Sequence, residues 1–144
     1  MNIKVMYYSK GGNTKKVAQT ISQAINQPAE SIPPAYPAEN IRLLFLGGGV
    51  YGGKLDPKLT EYINTLTPEK IKNVALFSTS GSGQGDGIRL MKEALEKKGL
   101  HVLDENFVCC GKYFIFFKRN HPDADELKAA QDFAKKAVEK LEKE

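Results

Sequence analysis

The chain has 144 residues, two cysteines and no tryptophan, and sets 21 lysines and arginines against 17 acidic residues for a formal charge of +4. That length suits one domain, 1–144, with a core of its own, and the adjacent pair Cys109 and Cys110 gives neither a disulfide framework nor a zinc-ligand pattern. Lysines are scattered among glutamates rather than set in a basic stripe, no apolar run nears the ~20 residues that span a bilayer, and no leader precedes the first strand, so a cytoplasmic protein with neither nucleic acid nor membrane as partner is expected.

Ile3–Tyr8, apolar or aromatic except for Lys4, reads as a buried strand. Ser9-Lys-Gly-Gly-Asn-Thr14 follows, and the helix after it puts Val17, Ala18, Ile21, Ala24 and Ile25 on one face. Such a loop is either an anion cradle or a tight turn capped by Asn13 or Ser9. The cradle draws on three properties. The first N–H groups of a helix lack partners within it, and its dipole favours an anion there. The glycines let the backbone approach a ligand. Ser9, Asn13 and Thr14 add hydrogen-bonding side chains.

A weak strand near Glu30–Ile32 is hemmed in by Pro28, Pro33 and Pro34, which confines it to a sheet edge. Leu43–Leu46 reads as the third strand, followed by the loop Gly47-Gly-Gly-Val-Tyr-Gly-Gly-Lys54. Asp56-Pro57 supplies an N-cap and a first helical position for a helix carrying Leu59, Tyr62, Ile63 and Leu66. Val74–Ser78 is the fourth strand, followed by Thr79-Ser-Gly-Ser-Gly-Gln-Gly-Asp86 and a helix with Ile88, Met91 and Leu95 that stops at Lys98-Gly99.

Phe107–Cys110 reads as the fifth strand, its cysteines being small buried hydrophobes of a reducing compartment. Tyr113 to Phe117 is a run of five apolar or aromatic residues. It reads as a core-packed extension or, alternatively, as a lid or a homodimer patch. The last helix starts near Pro122 and places Leu127, Ala130, Ala134, Ala137, Val138 and Leu141 on its core face, with His121 at its entry rather than acting as a base.

Short apolar strands that alternate with helices imply an α/β three-layer sandwich with a parallel sheet. Right-handed crossovers and a second strand at the edge give five strands in the order 2-1-3-4-5. Ligands of such sheets sit beyond the carboxyl ends of the strands, where winding reverses, and all three glycine-rich loops project there. Gly47, Gly49 and Gly52 fit G-x-G-x-x-G, but no helix opens directly after them and the next strand ends in Phe77-Ser78, so the match is chance. A signalling receiver would need acidic residues at the first and third strand ends, where Ser9 and Gly47 stand.

With these loops in order, the chain resembles the flavodoxin-like FMN-binding family over nearly its whole length. Tyr8-Ser-Lys-Gly-Gly-Asn-Thr14 is similar to that family's phosphate loop, usually T/S-x-T-G-x-T. Ser9, Gly12 and Thr14 fall on its positions, and Gly11 stands where a hydroxyl residue is usual. Leu46-Gly-Gly-Gly-Val-Tyr-Gly-Gly-Lys-Leu55 resembles the loop that runs along the flavin ring, with Gly49 where many relatives have proline. Asn120-His-Pro-Asp-Ala-Asp-Glu-Leu127 and Phe133-Ala-Lys-Lys136 are similar to the last helix of short members.

The resemblance implies a tightly held, non-covalent FMN. Its phosphate would lie in Ser9, Lys10, Gly11, Gly12, Asn13 and Thr14. Its ring would lie between Gly48, Gly49, Val50, Tyr51 and Gly52 on one side and Thr79, Ser80, Gly81 and Ser82 on the other, with Tyr51 as the stacking aromatic. One of Gly48, Gly49, Gly52 and Gly53 would turn its peptide toward the reduced ring's N5. No catalytic side chain and no metal ligand is implied. The third loop lacks the tyrosine that many flavodoxins set over the outer flavin face, and the basic charge departs from the acidic carriers of the family. The implied function is a low-potential electron carrier between redox partner proteins, as a monomer or homodimer. The alternatives are a small FMN-dependent NAD(P)H/quinone-type reductase and a flavodoxin-fold interaction module without flavin.

Overall fold

The computed structural model describes residues 2–9, 12–34, 39–51, 54–80, 86–110 and 124–143, with positions 50, 51, 80, 86, 109 and 110 described by their backbone alone. In chain order the elements are β1 Ile3–Tyr7, α1 Asn13–Ile25, β2 Ala29–Ser31, β3 Leu43–Tyr51, β4 Lys54–Leu55, α2 Pro57–Thr65, β5 Val74–Ser80, α3 Asp86–Lys97, β6 Val102–Cys110 and α4 Ala124–Glu142. The sheet runs β2-β1-β3-β5-β6, and every neighbouring pair on that path is parallel. This is the expected 2-1-3-4-5 order once the two-residue β4, antiparallel on the end of β3, is set aside.

Alternation along the strands divides the apolar side chains between two layers. On β3, Leu43 and Phe45 face one side, with Val5, Tyr7, Phe77 and Phe107, and are covered by α1 and α4. Leu44 and Leu46 face the other, with Met6 and Leu76, and are covered by α2 and α3. Phe133 of α4 anchors the first layer, edge-on to Phe45 at 5.6 Å and stacked on Phe107 at 6.2 Å. The sequence reading of α4 missed it, while Leu127 is only half-buried.

The second helix forms as its sequence dictates. Asp56 Oδ1 accepts the Lys58 N–H at 2.9 Å, and Pro57 occupies the first turn, where no N–H is needed. Gly99, at φ 84, ends the turn after α3 in a left-handed conformation suited to glycine.

Three expected boundaries move. Gly47-Gly-Gly-Val-Tyr51, expected as loop, continues β3: Gly47, Gly48 and Gly49 pair with Phe77, Ser78 and Thr79, and Val50 and Tyr51 pair back onto Leu55 and Lys54. The physical reason is space rather than flexibility. A Cβ on Gly47 would overlap the Phe77 ring, and one on Gly48 would overlap Leu59 Cδ2. Thr79 and Ser80, also expected as loop, complete β5.

β6 begins at Val102 rather than Phe107, through a register shift between Val74 and Leu76 of β5. Its exposed Asp104 and Asn106 hide the strand in the sequence and suit an edge that must not pair further. Lys140 of α4 donates to Glu105 at 3.0 Å, and this hydrogen bond holds the Glu105 carboxyl below the usual carboxylate range. The cysteine side chains, Tyr113 to Phe117, His121 and Pro122 lie outside the described residues. Among those described, no helix is long and apolar enough to cross a membrane.

Candidate functional site

The switch point lies between β1 and β3, and β1 delivers the chain to it. Tyr8 N–H donates to Gly47 O at 3.1 Å, which extends the β1–β3 pairing by one residue. Ser9 then turns its hydroxyl forward to accept the Gly12 N–H at 2.9 Å. Gly12 occupies the N-cap of α1 at φ 87, a left-handed conformation that favours glycine. This corrects the capping expectation. Asn13 is the first helical residue rather than the cap, and Ser9 acts one turn earlier, on Gly12.

The first intrahelical bond runs from Lys16 N–H to Gly12 O at 3.2 Å. The N–H groups of Asn13, Thr14 and Lys15 therefore receive no acceptor from the helix, and they point out of its positive end. Asn13 Oδ1 is buried without a hydrogen-bond partner. A flipped amide would present an NH2 to the same space. Helix donors without helical acceptors around a glycine cap, with an unmatched buried amide beside them, are groups that an anion can satisfy.

Thr14 ties this cradle to the strand two places along. Its hydroxyl lies 2.7 Å from that of Thr79 near the end of β5, and both residues are buried. Thr79 in turn faces Gly49 of β3 in register. The structure thus brings together Ser9, Gly12, Asn13, Thr14 and Thr79 and stacks the Gly48 and Gly49 backbone beside them. Val50, Tyr51 and Ser80 are placed by backbone only, at strand ends on the same edge. Lys10, Gly11, Gly52, Gly81 and Ser82 lie outside the described residues.

Sequence reading passed over Lys58. Its ammonium sits over the Tyr8 ring, 5.8 Å from the centroid, and joins the first turn of α2 to the strand end that feeds the cradle. The available signal was a lysine directly after Asp56-Pro57, inside a helix first turn. Tyr62, expected only as a core residue, lines a cleft of about 320 Å³ with Ile32, Pro33, Lys58, Glu61 and Thr65. Its hydroxyl is buried and unpartnered, and burial, then the Glu30 charge, push its pKa up to about 12.

A sheet in this order, with a glycine-capped helix at the reversal of winding, defines an open, doubly wound α/β protein with its site at the strand carboxyl ends. More narrowly, the profile of the flavodoxin domain family matches residues 4–115, and the chain belongs to that family. It is 31% identical over 134 residues to the uncharacterized protein MJ0298 of Methanocaldococcus jannaschii, covering 85% of this chain and 88% of that one. Its fold is similar to oxidised flavodoxin 2 of Bacillus cereus, with a TM-score of 0.72, 17% identity and coverage of 97% and 99% of the two chains. A flavoprotein of Lactobacillus acidophilus NCFM, solved in complex with FMN, matches with a TM-score of 0.59 and 18% identity over 79% of this chain and 95% of that one.

Proposed function

We propose that this chain binds FMN and passes electrons between proteins. The observation that carries the reading is the cradle: three helix N–H groups without helical acceptors, a left-handed glycine cap held by Ser9, and Thr14 fastened to Thr79. A phosphate monoester meets those needs. Its oxygens would accept from the Asn13, Thr14 and Lys15 N–H groups and from the Thr14 hydroxyl, while Thr79 keeps that hydroxyl in place.

Bound FMN would supply one- or two-electron chemistry, and the protein would supply orientation and electrostatics. On this reading the flavin ring lies along Gly48, Gly49, Val50 and Tyr51 and meets Thr79, Ser80, Gly81 and Ser82 at its other edge. The Gly48 and Gly49 peptides are held in the β3–β5 ladder. Gly52 and Gly53 are then the candidates for a peptide that would turn toward N5.

The test is an equilibrium titration of FMN fluorescence into the wild-type chain and Thr14→Val. Loss of one hydrogen bond to a charged oxygen weakens binding by roughly 10- to 100-fold. Equal affinity for the two proteins would remove the phosphate from this loop.

A further inference from the structure

We propose that the α1–α2 side of the cradle rim is a docking face for an acidic protein. The proposal rests on the flavin reading for what the two proteins exchange; the docking itself rests on charge alone.

Lys15 and Lys16 lie in the first turn of α1, Lys58 lies in the first turn of α2, and Lys54 lies in β4 three positions before that helix starts. All four are exposed. Each helix runs back antiparallel to the strand it follows, so these first turns share the carboxyl edge of the sheet. A helix N-terminus favours carboxylates, yet neither helix has an acidic residue in its first turn. The lysines therefore sit against the local dipole.

Three other cations of the described residues are held in ion pairs. Lys140 pairs with Glu105 at 3.0 Å, Arg89 with Glu93 at 3.4 Å and Lys70 with Glu39 at 4.0 Å. Lys15, Lys16 and Lys54 form no ion pair among the described residues, and Lys58 is turned onto the Tyr8 ring. Two carboxylates lie close by in sequence. Asp56 is buried in its capping role, and Glu61 shares the Tyr62 cleft with Lys58.

A bound phosphate accounts for cations on α1. It does not account for Lys54 and Lys58, which belong to the next strand-and-helix unit. Farther along the same sheet edge, α4 opens on Asp125 and Glu126. A polyanion such as nucleic acid would meet repulsion there, whereas a folded acidic protein can align its own charge asymmetry with that of the rim. Complementary fields of this kind steer association and set orientation, and salt screens them.

The test uses an acidic plant-type 2Fe–2S ferredoxin as probe, with basic cytochrome c and a short DNA duplex as competitors. Binding is followed by calorimetry with the full chain. The expected results are selective binding of the ferredoxin, a Kd that weakens roughly tenfold between about 20 and about 200 mM NaCl, and a further loss of roughly tenfold in Lys54→Glu/Lys58→Glu. The milder Lys54→Gln/Lys58→Gln guards against a folding defect and should weaken binding in the same direction. Lys97→Glu, in the last turn of α3 at the opposite sheet edge, should change it less than about twofold.

No ferredoxin binding, no salt dependence, an equal loss in Lys97→Glu, or tighter binding of cytochrome c or DNA would each overturn the proposal. FMN binding is titrated separately. If it fails while ferredoxin selectivity survives, the flavin reading falls and the docking face stands.

Discussion

Thr14 and Thr79 stand 65 positions apart in the chain, yet their hydroxyl oxygens lie 2.7 Å apart in a buried site. One belongs to the first turn of α1 and the other to the end of β5, so the pair clamps the anion cradle to the strand that flanks the proposed flavin ring. Thr79→Val would leave the Thr14 hydroxyl without its partner and destabilise the protein by about 1–3 kcal/mol. Adding Thr14→Val removes the orphan, so the double variant should be more stable than the sum of the two single losses predicts. Urea denaturation of the four proteins checks this; strictly additive losses would mean that the two hydroxyls are uncoupled.

Gly47 and Gly12 are glycines for different reasons, and their alanine variants should show it. Gly47→Ala drives a methyl into the Phe77 ring and should cost about 1–3 kcal/mol. Phe77→Leu should then cost less in the Gly47→Ala background than in the wild type. Gly12→Ala meets open space but must hold φ 87, at a cost of about 1–2 kcal/mol, and Phe77→Leu should not relieve it.

This distinction also marks what the sequence could convey. Helix α2 was legible because Asp56-Pro57 and the Leu59, Tyr62, Ile63 face are local signals. The turn from β1 into α1 was legible for the same reason: glycines and hydroxyls stand between a strand and a helix with no spare residues. The extension of β3 was not, because Gly47 and Gly48 look like a loop until Phe77 and Leu59, distant in sequence, are seen filling the space of their missing side chains. The start of β6 was hidden by Asp104 and Asn106, which an edge strand can expose. The Thr14–Thr79 contact depends on the packing of α1 against β5, which no local pattern encodes.

Lys15 lies within the positive end of α1 and should oppose helix stability while favouring an anion. Lys15→Glu is expected to stabilise the flavin-free protein by about 0.3–1 kcal/mol at low salt. It should also weaken FMN binding. Thermal denaturation without flavin, paired with an FMN titration, checks both directions; a destabilised apoprotein would contradict the dipole argument.

Tyr62 should make the fold sensitive to alkali. Its pKa rises from an ordinary 10.0 to about 12, chiefly through burial, so the folded state favours the neutral phenol. The stability this represents is complete below pH 10 and is lost as pH rises through about 12. Tyr62→Phe should abolish that loss. Because the hydroxyl is buried without a partner, the variant should be at least as stable as wild type at neutral pH. Denaturation curves of both proteins at neutral and alkaline pH test this, and parallel alkaline losses would rule it out.

In the proposed function, Ser9, Gly12, Asn13 and Thr14 form the phosphate end of a flavin site. Titrating the purified chain with FMN and with riboflavin, which lacks only the phosphate, tests it most directly. Quenched FMN fluorescence is expected, with riboflavin binding weaker by roughly 100-fold or more, since several hydrogen bonds to a charged group are lost. Equal affinity for the two flavins, or no response to either, would contradict it.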